Sequence, residues 1–358
     1  MREIYPQIQS WLNKGQQIVI ASVVSVYGSA PRPLGSKMAI CQDGQFTGSV
    51  SGGCIEAAVI SEAQNLYKSG ESKLLKYGIS DESAWEHGLA CGGEIEVFLE
   101  SLSYKEEDRS LLADILDSLH LEIRRNNLFG VITILSGEAK GNKQIIWPDG
   151  RTDGDLGNVD IESELIRSMS ELFTKQQSKR ISVDTETGTV DVFIDILQPP
   201  PKLIIIGAVH IAVPLVSLAN TLGFRTIVLD ARSAFATKER FPHADQLISA
   251  WPAEKLISLD IDESTYIVFL SHDEKIDNPA LKVALSSPAR YIGALGSRKT
   301  HSNRKNALLE LGVLEDQLTR IYAPIGLNIG ATGAEEIALS IMAEIIAVHH
   351  GMRENDEE

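Results

Sequence analysis

Cysteine is scarce in this chain. Cys41, Cys54 and Cys91 are the only three among 358 residues, and a low, odd number in a long chain does not make a disulfide framework. The natural setting is then a reducing cytoplasm, with the thiols free for other chemistry. Cationic residues are also in deficit, 33 Lys and Arg against 49 Asp and Glu, for a net charge of −16. A nucleic-acid partner needs a basic face, so none is expected. No run of about 18 apolar residues occurs, which argues against a membrane-spanning helix. The opening Met1-Arg2-Glu3-Ile4-Tyr5-Pro6 has no apolar signal core. There is no C-x-x-C pair and no histidine at a spacing that would complete a zinc site. What remains is an ordinary globular composition, 43% apolar and 23% charged, long enough for two domains.

Three successive prolines, Pro199-Pro200-Pro201, cannot join a helix or a central strand, so the main boundary is placed there. Residues 202–353 read as alternating strand and helix. Leu203–Ile206 is a wholly apolar run, as in a buried parallel strand, followed by a glycine turn and a helix with Ile211, Leu215, Leu218 and Leu222 on one face. Further strands are expected at Thr226–Leu229, Gln246–Ser249, Tyr266–Leu270 and Tyr291–Leu295, and a long apolar helix at Glu335–His350, packed on the sheet or at a dimer seam. This is the pattern of a Rossmann-like, doubly wound parallel sheet. Residues 1–197 read as a mixed α+β domain. Strands are expected at Gln17–Val26, Lys37–Cys41, Gln45–Gly48 and Ile95–Leu99, with a hairpin at Asp43-Gly44 and a helix at Ile55–Lys68. The segment from about 101 to 197 alternates helices and strands but carries no interpretable motif, and no internal repeat is evident.

The chemistry concentrates in glycine-rich loops. G-S-A-P-R-P-L-G-S-K at residues 28–37 is followed by S-V-S-G-G-C-I-E at 49–56. The bare backbone at Gly52 and Gly53, running into a helix N-terminus, suits an anion cradle. Cys54 sits at that helix start, where the dipole favours a thiolate able to ligate a soft metal or carry sulfur; the alternative is a small buried hydrophobe. Arg32 and Lys37 would be cationic partners for a phosphate. Cys91-Gly92-Gly93 repeats the grouping of a cysteine with two glycines, so Cys54 and Cys91 are candidates for one site, against two unrelated turns. Cys41 lies in an apolar strand and is expected in the core.

In the second half, G-A-V-H-I-A at residues 207–212 has the frame of the dinucleotide fingerprint, and Asp230 ends the next strand about 20 residues on, where a ribose-binding acid is expected. Val209 stands at the second glycine position and crowds the approach to a pyrophosphate. Gly207, His210 and Asp230 are therefore candidates for holding NAD(P), and an NAD(P)-dependent oxidoreductase is the alternative reading of the chain. G-A-L-G-S-R-K-T at 293–300 follows another strand, placing Ser297 and Arg298 at the carboxyl edge of the sheet as candidate phosphate contacts or as a plain basic helix start.

These motifs, with R-F-P at 240–242, P-I-G-L-N-I-G at 324–330 and A-E-E-I-A-L-S-I-M-A-E-I at 334–345, together resemble the XdhC/CoxI family of xanthine dehydrogenase accessory factors. The resemblance covers roughly residues 15–100 and 200–350. It implies a chaperone more than a catalyst: a protein that binds molybdenum cofactor, supports its sulfuration and delivers it to a molybdenum hydroxylase. It further implies a role for Cys54, as a molybdenum or sulfur contact, and next for Cys91. Xanthine dehydrogenase is the implied kind of partner, with a cysteine desulfurase as a further one. A homodimer is the expected assembly, as twofold dimers are the commonest in solution. The chain departs from the family at Val209 and at Gly333-Ala334, where a proline commonly precedes the two glutamates.

Overall fold

The computed structural model describes residues 1–30, 32–53, 55–78, 93–103, 111–125, 127–186 and 188–352. Cys54 and Cys91 lie outside the described residues. The chain divides into two compact units, Met1–Pro199 and Pro200–Glu358.

The first unit holds two five-stranded sheets. One is built from β1 (Ile18–Tyr27), β2 (Lys37–Cys41), β3 (Phe46–Gly48), β4 (Lys73–Tyr77) and β5 (Glu94–Leu102), in the order β3-β2-β1-β5-β4. The other is built from β6 (Phe129–Ile134), β7 (Lys143–Ile146), β8 (Thr152–Asp155), β9 (Lys179–Thr185) and β10 (Gly188–Leu197), in the order β8-β7-β6-β10-β9. The two orders are the same. Each sheet is preceded by a helix, α1 (Tyr5–Leu12) or α3 (Leu111–Arg125), and carries a second helix between its third and fourth strands, α2 (Glu56–Ser69) or α4 (Val159–Lys175). The unit is thus one α-β-β-β-α-β-β topology used twice, a repeat that the sequence reading did not find.

Alternation along β1 explains the layering. Val19, Ala21 and Val23 pack with Val59, Ala63 and Leu66 of α2. Ile18 and Ile20 face the other way, onto α1, α3 and Phe129 of the second sheet. Val24 and Phe98 meet Leu135 and Phe193 across the same seam. The second sheet lays its remaining face, including Ile132 and Ile194, on Leu165, Met169 and Leu172 of α4. Period-two burial on both faces of each sheet gives this sandwich directly.

Two ion pairs cross the seam in a reciprocal way. Lys37, first in β2, reaches Asp195 of β10 at 2.7 Å and donates to Ser22 at 3.2 Å. Lys143, first in β7, reaches Glu100 of β5 at 2.9 Å and donates to Thr133 at 2.8 Å. Ser22 is the β1 residue paired with Lys37, as Thr133 is the β6 residue paired with Lys143. The repeat therefore extends from topology to a charged triad. All four ionised side chains are nearly buried, at 3–11% exposure, so each charge depends on its partner.

The second unit is a six-stranded parallel sheet, ordered β13-β12-β11-β14-β15-β16. Its strands are β11 (Lys202–Ile206), β12 (Arg225–Asp230), β13 (Gln246–Ser249), β14 (Thr265–Phe269), β15 (Tyr291–Ala294) and β16 (Ile321–Tyr322). One face is covered by α5 (Ala212–Thr221) and α10 (Ala334–His349). The other is covered by α6 (Pro252–Ile257), α7 (Glu274–Leu285) and α8 (Arg298–Glu310), and the four-residue α9 (Glu315–Leu318) leads into β16. This is the Rossmann-like arrangement expected from the sequence, with the strand order reversing between β11 and β14. Of the two alternatives weighed for the last helix, packing on the sheet is observed, through Ala338, Ile341, Met342 and Ile345.

Candidate functional site

The first sheet has one end where its loops gather. β1 ends there at Tyr27 and β2 begins at Lys37; β3 ends at Gly48 and α2 begins at Glu56; β4 ends at Tyr77 and β5 begins at Glu94. Antiparallel pairing thus brings the described ends of the connections 28–36, 49–55 and 78–93 to the same edge. The contacts agree: a Cβ on Gly93 would run into the Ser29 and Tyr27 carbonyls, and the Ser49 amide donates to the Lys37 carbonyl at 3.1 Å. Topology therefore gathers the described ends of the three segments that the sequence singled out; Cys54 and Cys91 themselves lie outside the described residues.

The amides of the 49–53 loop do not face outward as a vacant anion cradle. They close on Glu56, a residue the sequence reading passed over. Its carboxylate accepts from Ser49 Oγ at 2.7 Å, Val50 N at 3.2 Å, Ser51 N at 2.9 Å, Ser51 Oγ at 2.5 Å and Gly53 N at 2.8 Å. Gly52 N donates instead to Ser49 Oγ, and Ile55 N to Ser51 Oγ. Burial opposes the charge on Glu56, but the hydroxyls of Ser51 and Ser49 and the Ser51 amide outweigh it and hold the carboxyl at about 2. The anion that this nest binds is thus the chain's own. Gly52 (φ 77) and Gly53 (φ 122) are needed for the left-handed backbone that wraps the loop around it. In the sequence, two serines ahead of S-G-G-C-I-E's glutamate were the available signal, hidden because an acid in a first helical turn is ordinary.

The two cations predicted from residues 28–37 have different fates. Lys37 is not free for a phosphate, being buried against Asp195. Arg32 lines a cleft with about 390 Å³ of free volume, walled also by Gly35, Ser36, Ser178, Asp195 and Gln198. Its Nε is buried with no hydrogen-bond partner among the described residues, and its Nη2 lies 3.8 Å from the exposed Glu3. Gly35 is required here, since a Cβ would stand 2.8 Å from Asp195 Oδ1. The sequence missed Asp195 as a wall of this cleft because it belongs to the second repeat.

In the Rossmann unit, Gly207 (φ 103) presses on the turn after β14, where a Cβ would come within 2.7 Å of Ser271 N. The acid expected to meet a ribose is already engaged. Asp230, 1% exposed, accepts from Ala208 N at 2.8 Å and Arg232 N at 2.8 Å, and pairs bidentately with the Arg232 guanidinium at 2.8 and 2.9 Å. Burial would raise its pKa, but the Arg232 side chain and these amides hold it below the usual carboxylate range. His210 is exposed beside α5. Ser297 caps α8, accepting from Thr300 N at 3.1 Å, and Arg298 is exposed in the first turn of that helix. Among the described residues no cluster of three or more His, Cys, Asp or Glu is placed to hold a metal ion, and no helix is long and apolar enough to cross a membrane.

Together these features define a protein of two units, a doubled α+β sandwich with glycine loops gathered at one edge and a Rossmann unit behind it in sequence. The chain belongs to the XdhC and CoxI family. Residues 11–78 match the family described by that name, and residues 203–345 match the XdhC Rossmann domain. A Bacillus subtilis protein described as a probable subunit of xanthine dehydrogenase is 31% identical over 353 residues, across 97% of each chain. The molybdenum cofactor insertion chaperone PaoD of Escherichia coli is 28% identical, over 94% of this chain and 85% of that protein. A crystal structure described as a xanthine dehydrogenase from Bacillus halodurans superimposes with a TM-score of 0.79 at 28% identity, covering 100% of this chain and 98% of that one.

Proposed function

We propose that this protein is an accessory factor that binds molybdenum cofactor as cargo in its first unit and inserts it into a xanthine-dehydrogenase-like molybdenum hydroxylase. The observation that carries the reading is the gathering of the described ends of the 28–36, 49–55 and 78–93 connections at one sheet edge, with Arg32 of the first lining a cleft. The relatives' names point the same way. The residues fit such a cargo. Arg32 has an unpartnered Nε suited to the terminal phosphate of a pterin cofactor. Cys54 and Cys91 supply the soft sulfur that molybdenum and persulfide chemistry require. Gly53 N donates to Glu56 and Ile55 N to Ser51 Oγ, which fixes the two residues that flank Cys54 in the sequence. Glu56 is then a positioning residue. Sulfuration of the cargo would place a cysteine desulfurase upstream.

The engagement of Asp230 with Arg232 and Ala208 removes the main support for the oxidoreductase alternative, because a ribose would have to displace a buried bidentate pair. The test is reconstitution. The protein is incubated anaerobically with molybdenum cofactor and desalted, and retained molybdenum and pterin are measured. Retention by the unaltered chain, lost in Cys54→Ala and reduced in Arg32→Ala, is the expected result. Equal retention in Cys54→Ala removes that thiol from the site, and no retention by the unaltered chain defeats the proposal.

A further inference from the structure

Arg304 lies on α8 with 3% exposure. Its Nη2 donates to the Leu295 carbonyl at 3.0 Å, but Nε and Nη1 are buried without a hydrogen-bond partner among the described residues. Among those residues its counter-ion is Asp277, held at the limit of ion-pair distance. Asp277 Oδ2 stands 4.0 Å away, and Asp277 Oδ1 already accepts from Ser271 at 2.6 Å. Burial pushes the Asp277 carboxyl up to about 6, against the opposing pull of Ser271 and Arg304. A guanidinium offers five donors and carries its charge throughout. A buried water would satisfy one or two of those donors and add no negative charge.

The guanidinium lies under the turn that begins α8. Nη1 is 3.8 Å from where a Cβ on Gly296 would be, beside the Thr300 side chain at 3.1 Å, so the guanidinium lies directly against this turn. Above it, the 13-residue α8 presents its N-terminus with no acid in the first turn. The Ser297 side chain takes the Thr300 amide, while the amides of Arg298 and Lys299 have no carbonyl one turn before them to receive them. Exposed Arg298 and Lys299 add cationic side chains at the rim. His301, one turn from Arg304 on the same helix, has a buried Nδ1 that also lacks a partner among the described residues. A buried, half-satisfied guanidinium beneath a helix start at the carboxyl edge of a parallel sheet is a binding arrangement for an oxyanion.

We infer that the Gly296–Thr300 turn and Arg304 form an anion site in the Rossmann unit, separate from the proposed cargo site and taking the phosphate group of a small phosphorylated ligand. The phosphate oxygens would receive Arg304 Nε and Nη1 from below and the Arg298 and Lys299 amides from above.

The probe is inorganic phosphate, titrated into the full chain against chloride at matched ionic strength. Binding is read as a saturable rise in melting temperature and as slowed hydrogen exchange over residues 295–304. The expected result is saturation in the millimolar range with protection confined to that segment. Arg304→Lys, which keeps the charge but loses the fork, should weaken binding roughly tenfold, and Arg304→Gln should abolish it. No saturable shift with the unaltered chain, or protection that falls elsewhere, overturns the inference whatever the variants do. Undiminished binding by a folded Arg304→Gln overturns it equally. The cargo site does not enter this test, so molybdenum cofactor retention and phosphate binding can fail independently.

Discussion

The two halves of the first unit have the same strand order and matching charged triads, yet their connections differ. Where the first half runs from β3 to α2 through residues 49–55, the second runs from β8 to α4 through 156–158; where the first joins β4 to β5 through 78–93, the second joins β9 to β10 through 186–187. The helix starts show what the extra chain does. At α4, Asn158 caps in the ordinary way, accepting from Ile161 N at 3.3 Å. At α2 no side chain caps from the Ncap position; the loop folds back on Glu56 instead. One scaffold therefore supports a plain turn and a long glycine-rich loop equally well. The strands provide the platform and the insertions provide the chemistry.

The sharpest way to break this comparison is through the reciprocal triads. Lys143→Met strands Glu100 at the seam and should cost about 3–5 kcal/mol in urea denaturation. Lys143→Met combined with Glu100→Leu should recover most of that. Lys37→Met should cost a similar amount, because its pair with Asp195 is built the same way; near-neutrality at one position with a large loss at the other would show that the halves are not energetic equivalents. The next effect is at the helix starts. Glu56→Ala leaves five hydrogen bonds unmade, and should cost about 2–3 kcal/mol and lower cofactor retention. Asn158→Ala should cost about 1 kcal/mol with retention unchanged. Loss of retention in both would mean that the second half bears on the site more directly than its short turns imply.

The last effect is in pH dependence. The Glu56 carboxyl is held at about 2 against an ordinary 4.5. A group with a depressed folded pKa contributes stability that is complete above its unfolded value and is lost as pH falls towards the folded one. Up to about 3 kcal/mol should therefore disappear between pH 4.5 and about 2. Glu56→Gln should flatten that part of the stability profile, and an unchanged profile would remove Glu56 from the acid transition.

The Rossmann unit was legible because its strands are buried on both faces and read as continuous apolar runs, as at Leu203–Ile206. The long β1 and the Asp43-Gly44 hairpin were legible for similar reasons. The second repeat was only partly so. β8 is Thr-Asp-Gly-Asp, exposed throughout, and is a strand only because β7 pairs with it. β4 and β7 are short and contain lysines, so neither has a clear period. The duplication was hidden because topology and two lysines persist while the residues around them do not. At the candidate site, the glycine loops lead to one edge of the sheet, but the direction of their amides depended on Glu56, which has no local signature. Arg304 looked like part of a solvated basic helix, because R-K-T-H-S-N-R-K gives no hint that its last arginine faces inward.

The Arg32 cleft has a consequence for how cargo and fold communicate. Its floor is shared: Arg32 and Gly35 come from the first repeat, Ser178 and Asp195 from the second, and Asp195 is also the anchor of Lys37. Under the proposed function, the repeat with the plain turns would serve as the fixed jaw of a clamp whose other jaw carries Arg32. A molecule lodged between them touches both copies of the duplication at once, so its arrival would stiffen the seam as well as fill the cleft, making the loaded protein harder to pull apart than the empty one.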